Sequence, residues 1–376
     1  MENEKRKLVS IQRIRKVIKH PNADRLDVCT INDWTVVSKI GEFKEGDLCC
    51  FFEIDSFLPD TPIFSFLGTP KTHKGMVGHR LRTSKIRNII SQGLALPLSS
   101  FPELNANMEG DLSSQINVIK YDPEFYTDNS KSSSPKTGNP AGKFPSFIPK
   151  TDQERIQNLP HYYELYKDHL WEETLKLDGS SLTAYKIHRP LSLFQKIKQL
   201  FGFKQKDYHF GVCSRNLELK PNDNFKKEFL NGNKPSEYNQ SDFWKIMIEL
   251  NVEDYLLAGY AIQGELIGPK IQNNHEKVDH NQFYLFDIYD IKNHRYLMPH
   301  ERQLMMPFLP TIKHVPIVSS SSNIFQRCTD LSLLQQQVTG ESMNPGTVSE
   351  GRVFKSCSIP GLSFKCISNE YLLKAD

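Results

Sequence analysis

The chain has 376 residues, with 47 Lys and Arg against 44 Asp and Glu, a net charge of +3, and 38% hydrophobic residues. This length exceeds one average domain and suffices for two buried cores, while so mild a charge does not by itself identify a nucleic-acid binder, for which local basic patches matter more. Seven cysteines without a Cys-x-x-Cys pair argue against a disulfide framework or a zinc site, and a charged N-terminus with no apolar run of membrane-spanning length argues against a leader or an anchor. A soluble protein of a reducing compartment is expected, in the cytoplasm with the nucleus left open, and most simply a monomer.

In chain order, Lys7 to about Phe101 is built of short apolar or alternating runs: Lys7 to Ile18, Leu26 to Ile31, Thr35 to Ile40, Asp47 to Ile54 and Gly93 to Pro97, punctuated by Gly41 and by Glu45-Gly46-Asp47. Several short strands in this span predict a small β-barrel, with the OB-fold as the obvious candidate. Within it, His20 to Leu26 resembles a segment of tRNA-binding OB domains, although a turn entering a strand explains these residues equally well. Arg80, Arg82, Lys85 and Arg87 make the stretch His79 to Asn88 a candidate RNA platform.

Between about Tyr126 and Phe144 the composition turns to Ser, Lys, Pro, Asn and Gly, with almost nothing to bury, which reads as a linker. The expected division is an OB domain over 1–125, a flexible linker over 126–148 and a second domain over 149–376. In the latter, Thr151-Asp152-Gln153-Glu154-Arg155 predicts a helix start with acidic residues in its first turn, and mixed α and β patterning follows. Ile187 to His209 interleaves Arg189, Lys196, Lys198, Lys204 and Lys206 with Phe194, Leu200, Phe201 and Phe203, the pattern of a short basic amphipathic helix. Such a helix packs its apolar face on the protein, grips RNA or lies on a membrane surface, in that order of preference.

The segment Lys176-Leu177-Asp178-Gly179-Ser180-Ser181 carries the chemistry. A lysine that becomes attached to a nucleotide through its amine is a nucleophile, and it needs a carboxylate to hold a metal and a glycine that lets phosphate approach the backbone. Asp-Gly is also a strong turn signal, so in isolation the segment reads equally well as a solvated turn. Five later segments favour the nucleophile. They are Gly211 to Asn216 with Arg215, Gln263 to Pro269 with Glu265, Phe283 to Ile288 with Phe286, Glu350 to Lys355, and Ser363 to Ile367 with Lys365.

In content and order these segments resemble motifs I, Ia, III, IIIa, IV and V of the covalent nucleotidyltransferase superfamily of ligases and capping enzymes. Ser180-Ser181 after the lysine motif, the Ser214-Arg215-Asn216 segment, and Ser363-Phe364-Lys365 followed by Ile367-Ser368-Asn369 are most similar to ATP-dependent RNA ligases, in particular the RNA ligase 5 branch, which has an OB domain ahead of the transferase domain. The resemblance is strong from about Pro149 to Lys374 and weak over the first hundred residues. DNA ligases and capping enzymes place their OB domain after motif V, where this sequence has only a few residues. The fold class implied is α+β: an N-terminal β-barrel of OB type, then an adenylyltransferase domain of antiparallel sheets.

The resemblance also implies roles. Lys176 is the nucleophile that takes AMP, and Lys355 and Lys365 are the further catalytic lysines. Arg155, Arg215, Glu265, Phe286, Lys355 and Lys365 contact ATP or AMP, Phe286 as the ring on adenine. Asp178, Glu265 and Glu350 hold the metal, and carboxylates without His or Cys favour Mg²⁺ or Mn²⁺, in part through water. A free lysine has a pKa near 10.4, so only about one amine in a thousand is neutral near pH 7.5; Lys355, Lys365 and the metal are expected to depress that of Lys176. The reaction implied is the joining of RNA 3'-OH and 5'-phosphate ends, with ATP consumed. A DNA ligase, a guanylyltransferase and a non-catalytic OB-type tRNA-binding protein are the competing readings.

Overall fold

The computed structural model describes residues 6–121, 140–191, 201, 206–221 and 241–374. The strand Val9–Lys19 organises the first domain. Its first half pairs antiparallel with Leu48–Phe52 and its second half with Leu26–Ile31, and the register shifts between Ile14 and Lys16. Such a shift bends a strand and raises its twist, so one strand serves two halves of a five-stranded sheet that continues through Leu94–Pro97 at one edge and Trp34–Lys39 at the other. Cys49 and Phe51 face a core with Ile31, Trp34 and Val36, whereas Cys50 and Phe52 face Val9, Leu58, Phe64 and Phe101. Burial on both faces accounts for an apolar run that does not alternate. With a four-stranded sheet that includes Ser56–Pro59 and Met76–Arg80, this is the curled half-barrel of an OB-fold.

The second domain is α+β with two largely antiparallel sheets. In the larger one Ser180–His188 lies between Tyr208–Cys213 and Tyr260–Ile267, and Gln282–Asp290 follows. The helix Asp242–Glu249, capped by the Ser241 hydroxyl, packs Phe243, Ile246 and Met247 against Leu182, Val212 and Leu266 of that sheet. The smaller sheet runs in the order Glu154–Arg155, Ser363–Ile367, Gly351–Ser356, Trp171–Leu175 and Ile317–Ser322. Trp171, Phe325, Phe354 and Phe364 fill its underside, with the last two rings stacked at 4.6 Å. Because Trp171–Leu175 belongs to the smaller sheet and Ser180–His188 to the larger, residues 176–179 cross the junction between them.

Two sequence expectations are corrected here. Thr151 to Arg155 starts no helix: Glu154–Arg155 runs parallel to Phe364 and Lys365, and a single 3₁₀ turn, Ile156–Asn158, follows. The strand pairing and the burial of the Arg155 side chain override the local helix signal. Of the linker expected over 126–148, residues 126–139 lie outside the described residues, whereas Pro140–Lys143 pairs with Leu217–Leu219 and Ile148 is buried beside Tyr185 and Cys213. The basic segment 187–209 lies mostly outside the described residues as well; Ile187 and His188 end one strand, and Tyr208 and His209 begin the next. Among the described residues no helix is long and apolar enough to cross a membrane, and no cysteine is in a disulfide.

Behind the junction Arg302 is fully buried. It pairs with Glu172, lies 3.8 Å from Asp287 and donates from Nε to His314 Nε2 at 2.8 Å. Arg302→Leu leaves the buried Glu172 without its cation, and urea unfolding of that variant is expected to show a loss of about 3–5 kcal/mol.

Candidate active site

A cavity of about 730 Å³ opens at the junction of the two sheets and is closed on its far side by the first domain. Lys176, Asp178, Arg215, Glu265, Phe286, Glu350, Lys355 and Lys365 all line it, so segments spread over 190 residues of sequence are brought together as expected. Arg155 is not among its lining residues. Its guanidinium is buried, 3.8 Å from the lining residue Asp55 of the first domain and 5.8 Å from the Trp34 ring.

Strand ends set the positions of these groups. Lys176 follows Trp171–Leu175 and its amide donates to Gly351 O at 3.0 Å, which places the amine beside Glu350, with Nζ to Oε2 at 2.6 Å. Glu265 sits opposite Ser181 in the adjoining strand, next to Gly179 and Asp178. Gly179 is required by close approach, since a Cβ there would lie 2.4 Å from Leu266 O. Gly264 is likewise closed in by Tyr284 O and the Phe283 ring. Both glycines make room for neighbouring strands.

Among the protein's own groups, carboxylates dominate the electrostatics of Lys176. Burial disfavours its ammonium, but Glu350 and then Glu265 outweigh burial and hold its pKa above the ordinary value. Lys355 does not act on it as expected, because Lys355 is paired with Asp287 at 2.8 Å and donates to Phe286 O. Lys365 is brought down to about 7 by burial and then by Arg155 and the other nearby cations, and burial lowers Lys355 as well. The carboxylates stand too close to one another to be comfortably ionised: burial and Glu350 raise Asp178 to about 7, and burial raises Glu265 to about 8 with Glu350 and Asp178 adding to it and Lys176 opposing. Such a surplus of buried negative charge fits a divalent cation. Among the described residues no three carboxylate, imidazole or thiol groups are arranged to ligate one ion directly.

A carboxylate whose folded pKa lies above its unfolded one stabilises the protein fully below the unfolded value, and that contribution is lost as pH rises through the folded value. For Glu265 the window runs from about 4.5 to about 8. Glu265→Gln is therefore expected to raise the melting temperature of metal-free protein at pH 8.5 and to leave it nearly unchanged at pH 4.5, as scanning calorimetry would show.

Phe286 is half-buried and lines the cavity, with Lys355 Nζ 5.3 Å from its ring, whereas Phe283 is buried in the core. Arg215 donates to Asp152 Oδ1 at 2.5 Å, and Lys120 of the first domain reaches the same carboxylate at 3.3 Å. Although burial works the other way, Arg215 and Lys120 hold Asp152 well below the usual carboxylate range. The first domain lines the cavity with Arg6, Asp55, Arg80, Arg82 and Lys120; the sequence marked Arg80 and Arg82 only as part of a basic stretch for RNA, and Arg6, Asp55 and Lys120 not at all. Asp55 accepts from Arg80 at 3.0 Å and has a left-handed backbone (φ 63°), a conformation that is itself a functional hint for a non-glycine residue, but no local motif announces it. Tyr371 was also missed; its hydroxyl donates to Asp178 Oδ2 at 2.8 Å.

A lysine among carboxylates at the junction of two sheets, with further lysines and an aromatic ring around it, defines a covalent nucleotidyltransferase, here fused behind an OB-fold. Comparisons with known proteins agree. A family model described as RNA ligase matches residues 169–367, and an OB-fold domain model matches residues 8–98. Naegleria gruberi RNA ligase, solved as a mutant with ATP and Mn, is 35% identical with a TM-score of 0.81, covering 100% of this chain and 99% of that one. The same ligase solved as a mutant with AMP and Mn, and with PPi, is 35% identical in each case, with TM-scores of 0.80 and 0.79 and 98% of both chains covered. The curated proteins contain no match. The chain belongs to the RNA ligase family.

Proposed function

We propose that the protein is an ATP-dependent RNA ligase that joins 3'-OH and 5'-phosphate ends through a lysyl-AMP and then an RNA-adenylate. The observation that carries this reading is the Lys176 amine set among Glu350, Glu265 and Asp178 in a cavity that Arg6, Arg80, Arg82, Lys120, Arg215 and Lys365 also line. Naegleria gruberi RNA ligase has been solved with ATP, AMP, PPi and Mn at 35% identity to this chain, which supports ATP as co-substrate and Mg²⁺ or Mn²⁺ as the metal. The module boundaries we adopt are 1–125 for the OB domain and 149–376 for the transferase domain, with 140–148 packed onto the latter. A monomer acting in the cytoplasm is the matching expectation.

In the first step the Lys176 amine, once deprotonated, attacks the α-phosphorus of ATP; an N–P bond forms, the P–O bond to the leaving group breaks, and pyrophosphate departs. Lys176 pairs with Glu350 at 2.6 Å, so Glu350 is the group placed to receive the proton. Asp178, Glu265 and Glu350 are the residues that would hold Mg²⁺ or Mn²⁺, whose positive charge would offset theirs and that of the phosphate. Lys365 stabilises charge on the α-phosphate, Lys355 fixes the Phe286 side of the slot where adenine stacks, and Arg215 contacts phosphate of the nucleotide or of the RNA end. Arg155 acts through Asp55 and through its charge on Lys365. AMP then passes to the RNA 5'-phosphate, and attack by the 3'-hydroxyl releases AMP; in both steps positioning and charge neutralisation carry the catalysis.

The test is a sealing assay with ATP and Mn²⁺ on nicked duplexes whose 3'-OH strand ends in ribose or in deoxyribose. Sealing with the ribose end is expected. Sealing with the deoxyribose end alone would assign the site to DNA.

A further inference from the structure

The short helix Asn369–Lys374 lies where the metal carboxylates, the smaller sheet and the OB domain meet. Its root is tied to the strand of Glu350, because the Ser368 amide donates to Glu350 O at 2.9 Å and the Leu372 amide returns to Ser368 O at 3.1 Å. One turn on, the Tyr371 hydroxyl crosses to the other side of the site and donates to Asp178 Oδ2, while its ring packs edge-on against His275 at 5.2 Å. On its outer side the helix is held by the OB domain: Gln92 Nε2 donates to Asn369 Oδ1 at 3.1 Å, and Leu372 packs on the core that holds Ile14, Trp34 and Phe51.

We propose that Tyr371 is a positioning residue that sets Asp178 relative to Glu350 for the divalent cation, and that the helix Asn369–Lys374 makes this setting depend on the docked OB domain. The inference rests on the reading of these carboxylates as metal holders. A hydroxyl donating to Oδ2 fixes the carboxylate plane and leaves Oδ1 to face the cation or its water. Asp178 and Glu350 stand on different strand ends with like charges between them, so a tie that spans both keeps them from turning apart. Glu350 is anchored through its backbone and Asp178 through its side chain, and the same helix provides both anchors.

Full-length wild type, Tyr371→Phe and Gln92→Ala should be compared by three readouts: melting in EDTA, binding of Mn²⁺ alone followed by electron paramagnetic resonance, and the Mn²⁺ concentration giving half-maximal lysine adenylation. Loss of one hydrogen bond to a charged group predicts a roughly tenfold rise in the Mn²⁺ requirement of Tyr371→Phe in both metal readouts, with the rate at saturating Mn²⁺ little changed. Gln92→Ala should shift the same quantities in the same direction by a few-fold, with its own hydroxyl tie intact. An unchanged or lower Mn²⁺ requirement in Tyr371→Phe overturns the positioning role, as does a fall in saturating rate alone. If Tyr371→Phe melts in EDTA below assay temperature, Gln92→Ala decides, and an unchanged requirement there overturns the proposal. Mn²⁺ binding is read without turnover, so failure of this inference is distinct from failure of the ligase reading, which would show as no adenylation in the wild type.

Discussion

Lys176→Ala is expected to lower ATP-driven sealing by roughly a thousandfold or more, because among the described residues Lys176 is the amine paired with Glu350. The same variant should still seal RNA supplied with a 5'-adenylate already attached, within about tenfold of wild type, since the final attack by the 3'-hydroxyl uses the site's charge and geometry and no lysine nucleophile. Lys176→Arg should resemble Lys176→Ala in the first assay, as a guanidinium with a pKa above about 12 offers no neutral nitrogen near neutral pH. Parallel loss in both assays would instead mean that Lys176 holds the site together. Quantitative gel assays with 5'-phosphate and 5'-adenylated strands make the comparison.

Glu350→Ala is the second large effect expected. Glu350 pairs with the nucleophile, faces Asp178 and Glu265 electrostatically, and is joined through its carbonyl to Ser368. Its removal takes away a metal holder and the nearest acceptor for the lysine proton. Adenylation should fall by roughly a hundredfold or more and should not recover at any accessible Mn²⁺ concentration. At the same time Lys176 loses the carboxylate that most raises its pKa. The residual rate should therefore reach its plateau at lower pH than the wild-type rate. A variant with full activity at high Mn²⁺ would remove Glu350 from the metal site, and an unshifted pH profile would remove it as the partner of the amine.

The strands of the first domain were legible because their apolar runs are short and bounded by Gly and Asp turns, and Leu26–Ile31 has the same limits in the sequence and in the fold. The gathering of Lys176, Glu265, Phe286, Glu350 and Lys365 was legible through motif order, each lying in or just beside a strand whose apolar neighbours are buried. Arg155 escaped local reading, since its neighbours favour a helix start and only the distant partners Lys365 and Asp55 make it an extended, buried residue. The electrostatics of Lys176 escaped for a related reason. The sequence states which charges are present, but Lys355 is diverted by Asp287 and Lys176 is captured by Glu350, and both pairings depend on strand register. Arg80 and Arg82 showed in the sequence only as a basic stretch, and Arg6, Asp55, Lys120 and Tyr371, which also reach the cavity, belong to no local pattern.

The most direct measurement is to incubate the protein with Mn²⁺ and α-labelled ATP, digest it, and map the labelled peptide by mass spectrometry. A single AMP joined through an acid-labile N–P bond to Lys176 is expected, with no transfer from GTP. AMP attached to another residue, or none attached from ATP, would contradict it.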